Sequence, residues 1–351
     1  MSTPPSPARL GDLSVGFVQS LADAVRSLEY DPQPLLEQYG LDETKRAEAG
    51  GRLSIARYMR LGHAAIELTR QPGLGLRMGS LSHLNQAGLA GVTAAQAPDV
   101  REAARTLLRF EPLYASNYRG QSSFVEDAEG AWLRFYSISP YNDYNRFVVD
   151  SLFAGWVHQL SAISGTDIRA DKVEIEFDAP DYADDYTPLS VQAVHFSATS
   201  NRIRFGERTL GMCNPHHCPS TWQHLLQLCE KELEQLTRTR SLQERVTRLL
   251  GPLLNGGKEP DLEQIAARLK LPAWTLRRKL SEEGTGFRSI LNETRRDLAM
   301  TYIRDTELAF GEIAYLLGFA SAEAFQRAYK RWTGQTPGEF RRCRRHPLTT
   351  R

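Results

Sequence analysis

The chain has 351 residues, 41% of them hydrophobic and 24% charged, which at roughly 100 to 200 residues per domain makes room for two folded units. Its formal net charge of +1 hides a split, because residues 241–351 carry 20 Lys and Arg against 13 Asp and Glu, while residues 1–240 carry 23 against 29. A basic end on an acidic body points to a polyanionic partner, the lack of about 18 uninterrupted apolar residues excludes a membrane span, and four cysteines are too few for a disulfide scaffold.

Residues 1–11, rich in Pro and Ser and without an apolar signal core, read as a disordered tail on a cytoplasmic protein. Three-and-four spacing of Val15, Phe17, Val18, Leu21, Ala24, Val25 and Leu28 predicts an amphipathic helix, LLEQYGLD a short second one, and Leu53 to Leu68 a third. Glycine-rich turns are expected at GLGLRMG and GLAG, followed by a helix from about Asp99 to Phe110. SSFVEDAEGAWLRFYSIS reads as a hairpin in which Trp132, Arg134 and Tyr136 alternate. A helix from about Asn145 to Ser164, a strand in KVEIEFDAP and two more in VHFSATSNRIRFGE, around a turn at Ser200 and Asn201, complete an α+β domain over residues 12–215.

Residues 216–240 form a linking helix with Trp222, Leu225, Leu226, Cys229, Leu233 and Leu236 on one side, a face suited either to its own domain or to a second copy of the chain. Beyond a break at Asn255-Gly256-Gly257 everything to Arg342 reads as helix. Asp261 to Leu269 and Pro272 to Glu283 have helix-turn-helix spacing, with Leu262, Ile265, Ala266, Leu269, Leu276 and Leu280 inward. The pattern recurs about 49 residues on: Phe310 to Leu317, a turn at Gly318, then Ser321 to Trp332 with Ser321 as N-cap. A long helix, about Phe287 to Arg304, joins the pair and at 1.5 Å per residue spans about 27 Å. The outward faces carry Trp274, Thr275, Arg277, Arg278 and Lys279 in the first unit and Glu323, Gln326, Arg327, Lys330 and Arg331 in the second, a composition fitted to a major groove and its flanking phosphates.

The stretch from DLEQIAARLKLPAWTLRRKL through IAYLLGFASAEAFQRAYKRWTGQTPGEFR resembles the DNA-binding domain of the AraC/XylS family of bacterial transcription regulators. The resemblance spans about residues 241–342. It implies an all-α domain with two helix-turn-helix subdomains joined by a linker helix, base-reading positions at Trp274, Arg277, Arg278, Glu323 and Arg327, and promoter DNA and RNA polymerase as partners. The family's capping Ser or Thr is missing at Ala309, so a weaker start is expected for that helix. Trp274 suits a thymine methyl, a deoxyribose or a neighbouring helix, and Glu323 a cytosine amino group or Arg327 four residues on. The arginine-rich tail over residues 343–351, with Arg341 and Arg342 before it, is suited to phosphates or to solvent.

RLSIARYMRLGHAAIELT, GLGLRMG, DVREAARTLLRFEPLY and VHFSATSNRIRFGERTL are similar to the N-terminal effector-binding region of one branch of that family. This implies a small-molecule sensor, with activation the expected output and no cofactor. Tyr114, Trp132, Arg134, Tyr136, Tyr144 and Trp156 are the candidates for effector contact, with Arg134, Arg119 and Arg146 available to an anionic group and core packing the alternative for the aromatics. Cys213, His216, His217 and Cys218, with His224 and Cys229 beyond, collect zinc- or copper-ligand types and would make a metal- or thiol-responsive regulator. No GxxxxGKS, HExxH or GxSxG is present, so no catalysis is expected.

Overall fold

The computed structural model describes residues 11–48, 50–189, 191, 193–238, 241–254, 259–306 and 308–345. They fall into two units, the first holding residues 11–117 and 121–236 and the second the remainder. The expected N-terminal tail up to residue 10, the break at 255–257 and the end of the basic tail from residue 346 lie outside the described residues.

In the first unit, β1 (Gly11–Ser14) lies between β2 (Arg52–Ser54) and β3 (Ala115–Asn117), antiparallel to both. Residue 11 thus belongs to a strand and not to the tail; a four-residue strand carries too little alternation to be read from sequence. Eight helices accompany this small sheet: α1 (Gly16–Arg26), α2 (Gln33–Gln38), α3 (Glu43–Ala47), α4 (Ile55–Thr69), α5 (Leu74–Ser80), α6 (Gly88–Ala95), α7 (Val100–Arg109) and α8 (Glu111–Tyr114). Local chemistry sets their starts, as where Asp99 accepts from the Glu102 N–H at 2.8 Å and Asp42 from that of Lys45 at 2.8 Å.

A five-stranded sheet follows, built from β4 (Ser123–Asp127), β5 (Gly130–Phe135), β6 (Lys172–Glu174), β7 (Val194–His195) and β8 (Asn201–Gly206) in the order β4-β5-β8-β6-β7. The predicted hairpin is the β4–β5 pair. The two strands expected around Ser200 and Asn201 do not pair with each other, because β6 lies between them, antiparallel to β8 and parallel to β7. Alternation gives β5 two faces: Leu133 and Phe135 are buried with Phe153, Trp156 and Leu160 of α9 (Arg146–Ser164), while Trp132 and Arg134 face outward. That outer face is an ionic ladder, with Arg204 donating to Asp127 at 2.7 and 2.8 Å, Arg202 to Glu174 at 2.5 Å, and Lys172 beside Glu174 at 2.6 Å.

Apart from Gly73, a turn residue at the N-cap of α5, GLGLRMG lies within α5, and GLAG lies within α6, not in turns. A Cβ on Gly75 would lie 2.6 Å from the Phe147 carbonyl oxygen, and one on Gly79 2.6 Å from both the Ser151 oxygen and the Gly155 nitrogen. These glycines let α5 press its backbone against α9. Gly91 of α6 similarly meets the Leu84 carbonyl.

After α10 (Glu207–Leu210), α11 (Pro219–Arg238) buries Trp222 and Cys229 against the first unit and half-buries Leu226 and Leu233 beside Phe110 and Ala90. An Arg109–Glu230 ion pair at 2.5 Å adds to that docking. Leu228 and Leu236 stay partly exposed.

The second unit is helical: α12 (Leu242–Leu250), α13 (Leu262–Arg268), α14 (Ala273–Glu282), α15 (Phe287–Asp305), α16 (Phe310–Leu316), α17 (Ala322–Thr333) and α18 (Pro337–Arg345). Its core takes Ile265, Leu276 and Leu280 from the first helix-turn-helix, Leu298 and Ile303 from α15, and Ile313, Phe325 and Tyr329 from the second.

Candidate functional site

Asp261 caps α13 by accepting from the Gln264 N–H at 2.7 Å, and Pro272 stands at the N-cap of α14 with an extended backbone. Leu276 and Leu280 are fully buried, which fixes the rotation of α14 and turns Trp274, Arg277, Arg278 and Lys279 to solvent, with Thr275 half-buried. Trp274 is 67% exposed and so is not packed on a neighbouring helix. Arg278 lies 5.8 Å from the Trp274 ring and 3.5 Å from Glu282, pairs that give way readily at such exposure. Ser321 caps α17 through the Ala324 N–H at 3.2 Å, and burial of Phe325, Ala328 and Tyr329 turns Glu323, Gln326, Arg327, Lys330 and Arg331 outward. The Ser321 side chain holds the Glu323 carboxyl below the usual carboxylate range, with Arg327 adding to the effect.

Ala309 has no side chain to cap α16, yet the Glu312 carboxylate reaches back to accept from the Ala309 N–H at 2.6 Å. Arg341 donates to the Leu308 carbonyl at 2.6 Å and lies over the Phe310 ring at 4.5 Å. Arg342 is exposed.

The first unit holds a cavity, partly open to solvent, between β1, β3, α4, α5 and α9. Of the six aromatic and basic candidates, Tyr114, Tyr136 and Trp156 line it. The other three are elsewhere. Trp132 and Arg134 are on the outer face of the sheet, where the Arg202 guanidinium stacks on Trp132 at 4.2 Å, and Tyr144 packs on the His63 ring at 4.0 Å. Polar groups that sequence reading passed over also line the cavity, namely Gln86, Gln159, Ser82, Ser151, Asn117 and Glu111. The Glu111 carboxylate accepts from Ser122 N at 2.6 Å and Ser122 Oγ at 2.8 Å, and burial pushes it up to about 7.

Residues 30–213 match the family described as the N-terminal arabinose-binding domain of AraC transcription regulators, and residues 265–343 match a helix-turn-helix domain. The first match alone covers more than half of the chain. The chain belongs to the AraC family of transcription regulators.

Over 335 residues it is 28% identical to the ornithine utilization regulator of Pseudomonas aeruginosa, a match covering 93% of this chain and 95% of that one. It is 24% identical over 330 residues to the transcriptional regulator VirS of Mycobacterium tuberculosis, covering 91% and 93%. The crystal structure of the regulator CdpR from P. aeruginosa aligns with a TM-score of 0.46 at 20% identity, covering 93% of this chain and 98% of that one. These families and relatives are transcription regulators and not enzymes, and the AraC-family chain described here is a DNA-binding transcription regulator with a helix-turn-helix reader.

The cysteine-histidine segment of this regulator is structural where it is buried. Asn214 donates to the Ala95 and Ala97 carbonyls at 2.9 and 2.8 Å, and His217 Nδ1 lies 2.7 Å from the Gln96 carbonyl. Among the described residues no three His, Cys, Asp or Glu side chains are grouped to hold a metal ion. Cys213 is exposed, and Cys218 stands before α11 with its sulfur accepting from Thr221 Oγ1 at 3.2 Å, which lowers the thiol to about 7. Among the described residues no helix is long and apolar enough to cross a membrane.

Proposed function

We propose that this regulator reads promoter DNA by placing α14 and α17 in major grooves, and that a small molecule in the cavity of the first unit governs this activity. The observation that carries the reading is the pair of outward faces. Each of the two helices buries its apolar side and leaves Arg277, Arg278 and Lys279, or Arg327, Lys330 and Arg331, exposed on the other. In this reading Arg278 and Arg327 meet base edges, Lys330 and Arg331 meet phosphates, Trp274 meets a thymine methyl or a deoxyribose, and Glu323 steers Arg327 by its charge. Thr275 and Gln326 supply shorter polar contacts at the groove edge.

Residues 12–215 are proposed as the effector-binding domain and 241–342 as the DNA reader, with activation through RNA polymerase as the output and a homodimer as the working assembly. Genome-wide capture with the purified full chain, then footprinting of the strongest fragment, tests the DNA reading. Two protected major grooves per subunit are expected, whereas capture without sequence preference, unchanged when cell extract is added, would refute it. Transcription from that fragment with purified polymerase decides between activation and repression.

A further inference from the structure

The cavity is concave and mainly apolar with a few polar groups, as small-molecule sites are, and its lining is selective in a way the sequence does not announce. Among the described residues no Lys, Arg or His lines it, and Glu111 is the one carboxylate that does. Cations of this unit are held elsewhere: Arg204 by Asp127, Arg202 by Glu174, and Arg101 and Arg105 both by Glu126. An anionic ligand would shed its hydration with no countercharge, beside a carboxyl whose own ionisation burial already opposes. A cationic ligand would have to compete for Glu111 with Ser122, whose N–H and hydroxyl occupy both carboxylate oxygens.

What remains free is neutral. Gln86 accepts from Ser20 Oγ at 2.6 Å through its carbonyl, and Gln159 donates to Ser82 Oγ at 3.0 Å through its amide nitrogen. The Gln86 amide N–H groups and the Gln159 carbonyl are left with no hydrogen-bond partner among the described residues, one donor group and one acceptor. The hydroxyls of Tyr58 and Tyr114 are turned to Met78 Sδ and the Leu107 carbonyl. Asn117, Ser82, Ser151 and Tyr136 add polar atoms, Ser151 donating to the Val148 carbonyl at 3.1 Å, and most of the rest of the wall is apolar, with Phe17, Ile55, Met59, Ile138 and Leu152 among its members.

We infer that the cavity takes an uncharged, mainly apolar ligand with a single amide- or hydroxyl-like head held between Gln86 and Gln159. A sugar is a poor occupant, because each buried hydroxyl requires a partner and the wall supplies few. This inference rests on the cavity being the effector site.

The test uses the full-length protein at about pH 6, where Glu111 is largely protonated while decanoate and decylamine are charged, with Nile red as a neutral reporter, its displacement read by fluorescence and checked by thermal shift. The competitors are decanamide, decanol, decanoate, decylamine and L-arabinose. Decanamide and decanol should displace the dye and raise the melting temperature at concentrations at least about tenfold lower than decanoate or decylamine, with arabinose inactive. Gln86→Leu and Gln159→Leu should each weaken decanamide by about fivefold or more with an unchanged circular dichroism spectrum. Decanoate, decylamine or arabinose acting as well as decanamide would overturn the ligand class while leaving the cavity as the site. No displacement and no thermal shift with any compound would overturn the cavity reading itself, and the ligand class with it.

Discussion

Gly79 provides the sharpest test of how the first unit is built. A methyl group there would lie 2.6 Å from the Ser151 carbonyl oxygen, the Gly155 nitrogen and the Ala154 Cβ, all in α9 and two of them backbone. Replacing Gly by Ala inside a helix normally gains about 1 kcal/mol of helix propensity. Forcing apart two closely packed helices costs about 1 to 3 kcal/mol, and because two of these atoms are backbone and cannot rotate away as a side chain can, the upper half of that range, about 2 to 3 kcal/mol, applies here. Gly79→Ala should therefore lose about 1 to 2 kcal/mol, or a few degrees of melting temperature at roughly 2 to 4 °C per kcal/mol for a unit of this size. Gly311 in α16 is the internal control: nothing lies within 4 Å of a Cβ built on it, so Gly311→Ala should stabilise by about 0.5 kcal/mol. Urea denaturation followed by circular dichroism reads both. The same substitution must change sign between the two sites, and a Gly79→Ala protein as stable as the parent would refute the close approach of α5 and α9.

Arg278→Ala and Arg327→Ala should each cost about 1 to 3 kcal/mol at the preferred DNA site and relax preference at one or two base pairs; uniform weakening on all sequences, read by binding to a randomised site library, would make them phosphate contacts. Lys330→Ala with Arg331→Ala should instead keep the sequence preference and flatten the logarithmic salt dependence by about two units of slope. Ala309→Ser supplies the side-chain acceptor for the Glu312 N–H that α16 lacks and should raise stability by about 1 kcal/mol in urea denaturation, whereas no gain would mean that this N–H already has a partner. Burial pushes Asp150, which accepts from Tyr182 and Tyr186, and also Glu111 up to about 7. Each folded-state carboxyl thus keeps a proton that the unfolded chain gives up near pH 4, so this contribution is complete below about pH 4 and is lost as the pH rises through 7. Asp150→Asn should reduce the decline in unfolding free energy between about pH 4.5 and 7, and an unchanged slope would exclude Asp150 as a source of it.

The second unit was legible almost residue by residue because its signals are local. Ser321 caps its helix by bonding a neighbour three residues on, and Leu276, Leu280, Phe325 and Tyr329 fall inward by helical period alone. What escaped there is non-local: Arg295 of α15 is buried and donates to the Leu317 and Gly318 carbonyls at 2.9 and 3.2 Å, satisfying the turn of the second helix-turn-helix from 22 residues away. In the first unit the same limit has larger effects. Gly75 and Gly79 look like turn residues in the chain, and only the position of α9, some 70 residues later, shows that they are points of helix contact. The order of β6, β7 and β8 is likewise invisible to alternation, which identifies strands and faces but not neighbours.

The misplaced arginine in the cavity reading has the same origin and leads to a chemical consequence. Trp132, Arg134 and Tyr136 share parity in sequence, and a continuous strand would have put all three on one face. β5 ends at Phe135, so Tyr136 leaves the alternation, lies 4.3 Å from the Phe135 ring by centroid and lines the cavity, while Trp132 and Arg134 stay on the outer face among Arg202, Arg204 and their carboxylate partners. The outer face of the sheet thus gathers Arg202 and Arg204, matched by Glu174 and Asp127, while Glu126, on the other face, pairs with Arg101 and Arg105 of α7 away from the cavity. The cavity itself receives aromatics and amides whose remaining hydrogen-bonding capacity is neutral. Under the proposed reading of the cavity as an effector site, a ligand is discriminated first by charge, through the cost of burying an unpaired ion, and only then by shape.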